Sequence, residues 1–169
     1  IAVSDALVKG FDGFDKDLAW EAIKTTMMDT IRGLNYRQKY GYIPSDTMLE
    51  SIAYDMEYAI ADAAAASAAD YLGKPEDAEY FRTRSHSYRN YMDSTTLFAR
   101  GRMSDGSWRT PFNPYSSEHR NNDYCEGNAW QYTWLAPHDY SGLVDFYGSR
   151  EKFVERLDSL FYAGSRIDG

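Results

Sequence analysis

Residues 47–73 read TMLESIAYDMEYAIADAAAASAADYLG, and their spacing decides the fold class. Thr47, with Glu50 three residues on, is a capping-box pair and predicts a helix start. From there Leu49, Ile52, Met56, Ala59, Ile60 and Ala63 recur every three or four residues, the period of one helix face. The alanines at 63–66, 68 and 69 are short enough for a second helix to lie close, and Gly73 ends the run. Before this segment, Ala19, Ile23, Met27 and Ile31 form a four-spaced row that predicts a helix from Asp15 to Gly33. Tyr36, Tyr40, Gly41, Tyr42 and Pro44 then predict a tyrosine-rich loop. After it, Pro75 suits a first helical turn, and Ala78, Phe81, Ser85, Tyr88 and Met92 continue a third helix.

Further on the pattern changes. Leu97 to Trp108, with Asp105-Gly106 as a tight turn, predicts a hairpin-sized excursion near 97–110, and 111–123 reads as loop. Helical signal returns over Asn128–Leu135 and pauses at Pro137. It resumes in a last helix from Glu151, capped by Ser149, with Phe153, Val154, Leu157, Leu160 and Phe161 turned inward. The expected class is all-α, built of helical hairpins joined by aromatic loops, an arrangement that stacks in solenoids and in α/α toroids.

Composition narrows the function. A chain of 169 residues is one domain at most, and with a mean hydropathy of -0.62 it has no run near the roughly 20 apolar residues of a membrane-spanning helix. Eighteen Lys and Arg against 26 Asp and Glu give a net charge of -8, which argues against nucleic acid and against anionic membrane surfaces as partners. The lone Cys125 rules out an internal disulfide and a cysteine-based metal framework. Aromatic residues make up 16% of the chain, more than a core of this size uses, so some rings are expected to face a groove. The opening Ile1-Ala2-Val3-Ser4-Asp5 lacks an initiator Met and a signal pattern, and Ser165-Arg166-Ile167-Asp168-Gly169 is a polar stub. Residues 1–169 are therefore expected to be one partial domain of a longer protein, with self-association through uncovered helix faces.

The segment richest in chemistry is Asp123-Tyr124-Cys125-Glu126-Gly127-Asn128-Ala129-Trp130-Gln131-Tyr132-Thr133-Trp134. Glu126 lies just before a helix start, and Asn128, Gln131 and Trp134 fall three apart, so one face is expected to present an acid, two amides and an indole. Such a set suits a carbohydrate: an aromatic plane for the sugar ring, amides for its hydroxyls and a carboxylic acid for the leaving oxygen. The same residues also allow a plainer reading, with Glu126 favouring a helix dipole and the tryptophans four apart in a core.

The run Glu126-Gly127-Asn128-Ala129-Trp130-Gln131-Tyr132-Thr133-Trp134, with Pro137-His138-Asp139, resembles the signature of family 92 glycoside hydrolases, calcium-dependent exo-acting α-mannosidases. Ser51, Met56-Glu57-Tyr58-Ala59 and Asp62 are similar to a helix of that family, and Leu72-Gly73-Lys74 follows in register. Arg89 to Asp93, Arg100-Gly101-Arg102, Asp105 to Trp108 and Pro111 to Pro114 agree in order, and the likeness runs from about residue 34 to 162. The resemblance implies an (α/α)6 toroid, of which this chain is about half, and inverting hydrolysis of terminal α-mannosides, α-1,2-linked ones first. It implies Glu126 as general acid and Asn128, Trp130, Gln131 and Glu57 as sugar-binding residues. The general base and most calcium ligands are expected outside these residues, and the protein is expected in the periplasm or secreted. Where the family helix carries Asp-Asp and an aromatic, this chain reads Ala61-Asp62-Ala63. Two other readings stand beside it: an α-glucoside-acting helical-toroid enzyme, and a non-catalytic helical carbohydrate-binding or assembly module.

Overall fold

The computed structural model describes residues 1–164 and 168; the rest of the polar ending lies outside the described residues. Eight α-helices follow in order: α1 (Ala2–Val8), α2 (Lys16–Met27), α3 (Leu34–Tyr40), α4 (Ser51–Tyr71), α5 (Pro75–Arg84), α6 (Ala129–Tyr132), α7 (Tyr140–Tyr147) and α8 (Arg150–Tyr162). A 3-10 segment, Ser85–Tyr91, extends α5, and the two short strands β1 (Met92–Asp93) and β2 (Phe98–Ala99) pair antiparallel. Arg102 bridges Trp108 across the Asp105-Gly106 turn, so the expected extended excursion is present and small. The chain is mostly helical, as its periodicity implied. No described helix is long and apolar enough to cross a membrane.

Helix α4 is the spine. Its alanine-rich half buries Ala65, Ala66, Ala68 and Ala69 beside Leu7 of α1, Trp20 of α2 and Phe81 of α5, where the Trp20 and Phe81 rings meet edge to face at 6.1 Å. Its other half buries Ile52, Met56 and Ala59 against Tyr88, Tyr91, Tyr124, Leu143 and Phe153. Short side chains in the first half bring the neighbouring helices close; rings in the second fill a wider space.

The start of α4 differs from expectation. Thr47 caps nothing: its hydroxyl donates to the Pro44 carbonyl at 2.6 Å. The helix begins at Ser51, after Glu50 in the left-handed region (φ 56°), because a distant loop supplies the cap. Asn122 accepts from the Glu50 N–H at 2.7 Å, and the Asp123 carbonyl accepts from Ile52 and Ala53 at 3.0 and 3.3 Å. Leu49 is left outside the helix and is 51% exposed.

The tyrosine-rich loop is partly helical. Helix α3 sits between Gly33 and Gly41, both left-handed, and inserts Arg37 into the core. There the guanidinium contacts the carboxylates of Asp55 and Asp62 on α4, and its Nη2 donates to Ser87 at 2.8 Å and to the Arg84 carbonyl at 3.0 Å. Arg84 adds two bonds to Asp62, at 2.6 and 2.9 Å. Asp62, in the Ala61-Asp62-Ala63 triplet, thus joins α3 to α5.

The third helix stays α-helical only to Arg84 before tightening. Helix α7 was hidden behind Pro137: it starts at Asp139, whose Oδ1 accepts from the Gly142 N–H at 3.0 Å. In α8 Ser149 caps as expected, accepting from Lys152 N–H at 3.2 Å, and Phe153 is buried. Val154 and Phe161, expected inside, are 43% and 78% exposed.

Candidate active site

The loop that caps α4 also carries Glu126. Asp123 is anchored on both sides: its carbonyl receives the α4 N–H groups, and its Oδ2 faces the Arg109 guanidinium at 2.9 Å. Burial pushes the Asp123 carboxyl up, against the opposing Arg109 charge and the Ser45 and Ser51 hydroxyls. Tyr124 is buried and donates to the Ala99 carbonyl at 2.6 Å, tying the loop to β2. Cys125 is held by Tyr132, whose hydroxyl accepts from the Cys125 N–H at 3.3 Å and donates to the Cys125 carbonyl at 2.7 Å. Glu126 follows in the left-handed region (φ 51°), and Asn128 opens α6.

Gly127 is required by its surroundings. A Cβ there would lie 2.8 Å from Gln131 Oε1, which must then shift, and 3.1 Å from Tyr132 Cε2, which must give by a few tenths of an ångström. Asn128 Oδ1 accepts from the Trp130 N–H at 3.0 Å, and Gln131 Oε1 accepts from the Asn128 N–H at 2.9 Å, a complete capping box.

Glu126 is exposed and opens on a cavity of about 420 Å³ that Asn128, Trp130 and Gln131 also line, a size within the ordinary range for small-ligand sites. Four of the five sequence-derived candidates are thus brought together. Glu57 is not among them: it opens on a second cavity of about 790 Å³, beside Tyr54, Tyr58 and Leu135. Its charge still reaches the site region, because burial and then the carboxylates of Glu50, Glu126 and Glu57 push the Cys125 thiol up. The indole expected beside the acid is Trp130 and not Trp134. Trp134 lies past the end of α6 and stacks on Tyr147 at 5.7 Å, within the core.

Trp130 is fixed on several sides: edge-on to Phe98 at 4.8 Å, tilted against Tyr115 at 5.9 Å, and under the Arg156 guanidinium at 4.7 Å. Tyr115, Ser117 and Leu160 also line the cavity; the sequence marks none of them as a site residue and gives Leu160 only as part of the inward face of the last helix. Tyr115 and Ser117 sit in an irregular loop and Leu160 on α8, so only the tertiary fold brings them to Glu126. No local pattern marks them.

Among the described lining residues Glu126 is the one carboxylate. Asp139 is committed elsewhere, accepting from Tyr88 at 2.7 Å, Arg89 at 2.6 Å and Gly142. Burial opposes its ionisation, but the Tyr88 and Arg89 hydrogen bonds outweigh that and hold its carboxyl down at about 2. His138 bonds the Ser85 carbonyl through Nε2 at 2.9 Å. No group of three or more His, Cys, Asp or Glu side chains among the described residues is placed to hold a metal ion.

Comparison with known proteins identifies the family. The sequence profile of the glycosyl hydrolase family 92 catalytic domain matches residues 1–168. A family GH92 α-mannosidase of Bacteroides thetaiotaomicron, solved with mannoimidazole, is 40% identical with a TM-score of 0.91, covering 98% of this chain and 22% of its own. An inverting mannosidase of the same family and organism is 30% identical with a TM-score of 0.84, covering 94% of this chain and 22% of its own. An uncharacterized secreted glycosidase of Arthroderma benhamiae is 28% identical over 199 residues, covering 95% of this chain and 25% of its own length. The chain therefore spans a quarter or less of the relatives it matches.

Proposed function

Because the chain belongs to the glycosyl hydrolase family 92 catalytic domain, we propose that it supplies the acid side of an inverting α-mannosidase site. The observation that carries this reading is the placement of Glu126: exposed on the cavity, alone as a carboxylate among the described lining residues, and held in an unfavourable backbone region by its neighbours. Strained backbone that the surroundings over-determine is characteristic of functional positions. A mannoside seated in this cavity brings its glycosidic oxygen to Glu126. The carboxylic acid donates its proton as the C–O bond to the anomeric carbon breaks, and water attacks that carbon from the opposite face. Inverting enzymes place their second carboxylate about 6.5–9.5 Å away to take a proton from that water. We assign that base to sequence beyond these 169 residues, together with the ligands that would complete a calcium site. Calcium, where bound, supplies positive charge beside the reacting sugar.

On the same reading the helical hairpins form part of an (α/α)6 toroid, supported by the TM-score of 0.91 over a fraction of a larger chain. Terminal α-mannosides of glycans are the proposed substrates, with α-1,2 linkages the first to test. The matching secreted glycosidase supports a location outside the cytoplasm. Exposed Phe161 and Tyr162 on α8 and Leu18 on α2 support burial of these faces against further helices or a second copy.

The test is hydrolysis of an aryl α-mannoside, with and without added calcium, by the complete enzyme, its Glu126→Gln variant and the 169-residue chain. The complete enzyme should turn over, Glu126→Gln should lose about 10²–10⁴-fold in kcat, and the short chain should be inactive. Full activity of Glu126→Gln overturns the assignment. Binding of mannose without turnover by the complete enzyme identifies a non-catalytic carbohydrate module instead.

A further inference from the structure

Glu126 itself has little to hold it. Its side chain is exposed, and its backbone lies at φ 51°, a region that costs a non-glycine residue about 1–2 kcal/mol. Something else must keep that conformation populated. On the C-terminal side the Asn128–Gln131 capping box fixes residue 128 and the packed Gly127 fixes the approach. On the N-terminal side Asp123 and Tyr124 tie the loop to its neighbours, and at the residue directly before the acid the Tyr132 hydroxyl closes on both backbone polar atoms of Cys125, at 3.3 and 2.7 Å. Tyr91 holds Ile43 by the same two-atom clasp, at 3.0 and 2.8 Å, in the centre of the core.

Two features separate Tyr132 from an ordinary core tyrosine. Its hydroxyl spends both hydrogen-bonding functions on the residue directly before the acid, and its ring edge lies where a Cβ on Gly127, directly after the acid, would fall. It also stands beside Tyr124, with ring centroids 5.4 Å apart, so the ring is fixed before the hydroxyl reaches the loop.

We propose that Tyr132 is a positioning residue for the acid, its hydroxyl clasp on Cys125 aiming Glu126 into the cavity. The proposal rests on Glu126 being the general acid. Without the clasp the chain before Glu126 regains rotational freedom, the carboxyl spends less time within reach of the leaving oxygen, and protonation of that oxygen suffers. Substrate binding, which depends on the cavity walls, changes little.

The experiment compares the complete enzyme, Tyr132→Phe and Glu126→Gln on two aryl α-mannosides, one with a poor leaving group (phenol) and one with a good one (2,4-dinitrophenol). A dinitrophenolate departs without a proton, so a defect confined to proton donation vanishes on that substrate. Tyr132→Phe is expected to lose about 10- to 100-fold in kcat on the phenyl mannoside with KM little changed, and to recover most of that on the dinitrophenyl mannoside. Glu126→Gln should show the same pattern more deeply. Equal losses of Tyr132→Phe on both substrates, or none, overturn the positioning role while Glu126→Gln retains its leaving-group dependence. Equal losses of Glu126→Gln on both substrates overturn the acid assignment instead. Should Tyr132→Phe fail to fold, 4-fluorophenylalanine at 132 keeps the ring and fills the para position but cannot donate to the Cys125 carbonyl. Its ratio of rates on the two mannosides should then shift from that of the unmodified enzyme, and an unchanged ratio overturns the proposal.

Discussion

Asn128 and Gln131 satisfy one another across the first turn of α6: Gln131 Oε1 accepts the Asn128 N–H at 2.9 Å, while Asn128 Oδ1 accepts the Trp130 N–H at 3.0 Å. The two amides read from sequence as sugar ligands have therefore given their carbonyl oxygens to the helix start. Asn128→Ala should lower stability by about 1 kcal/mol, the usual worth of an N-cap, and Asn128→Asp should recover most of it. Thermal unfolding of the three proteins checks this. A loss with Asp equal to that with Ala would show that the cap oxygen is not what matters.

Arg37 is the most consequential buried charge. It bridges Asp55 and Asp62 on α4, and removing it leaves Asp62 paired with Arg84 alone and Asp55 buried without its cation. Arg37→Ala should destabilise by about 3–5 kcal/mol, enough to unfold a marginal domain. Denaturant unfolding measures it, and a loss below about 1 kcal/mol would mean that the network contributes little beyond its packing.

Acid stability follows from Asp139. Its folded value, about 2, is below the ordinary carboxylate value, so its contribution is fully present above about pH 4 and is lost as pH falls through 2. A shift of this size corresponds to about 2 kcal/mol at neutral pH. Asp139→Asn should be less stable than the parent at pH 7, and the gap should narrow as pH falls from about 4 to 2, followed by unfolding at each pH. A gap that stays constant would assign the loss to packing and not to charge.

The parts of the fold legible in sequence were those governed by local periodicity. Helix α4 and the Gly73–Pro75 break before α5 came from spacing alone, whereas the first turn of α4 did not, because the carbonyl of Asp123 replaces the local cap that Thr47 offered. Helix α7 escaped notice because it is short and begins three residues after Pro137. At the site, Glu126 was found through its motif, and Trp130 was in that motif too. The resemblance pointed to Trp130 and the three-residue spacing to Trp134; the spacing fails because α6 ends at Tyr132, which leaves Trp134 to turn against the core. Tyr115 and Leu160 were invisible because tertiary packing, not sequence neighbourhood, brings them to the cavity.

Gly127 allows a steric test of the same loop. A methyl group there meets Gln131 Oε1 at 2.8 Å and the Tyr132 ring at 3.1 Å, so Gly127→Ala must displace the capping box, the clasp on Cys125 or both. Overpacking of this kind costs about 1–3 kcal/mol. The variant should also lose turnover out of proportion to its loss of melting temperature, because the displaced groups flank Glu126. Melting temperature and kcat on an aryl α-mannoside, measured on the same preparation, check this. Turnover falling only as far as the folded fraction falls would separate the loop from catalysis.

The left-handed backbone at Glu126 predicts that stability and activity oppose each other at this position. At φ 51° a side chain costs about 1–2 kcal/mol that glycine escapes, against the extra chain entropy glycine loses on folding, about 0.5–1 kcal/mol. Glu126 is exposed, so removing its side chain sacrifices little packing. Glu126→Gly should therefore be at least as stable as the parent and more stable than Glu126→Ala by a few tenths to about 1 kcal/mol, while on the proposed role of Glu126 both lose turnover. Comparing the melting temperatures of the two variants isolates the backbone contribution, since neither retains a carboxylate. If Glu126→Gly melts below Glu126→Ala, the loop relaxes out of the left-handed region in solution, and the conformation that aims the acid belongs to the substrate-bound state alone.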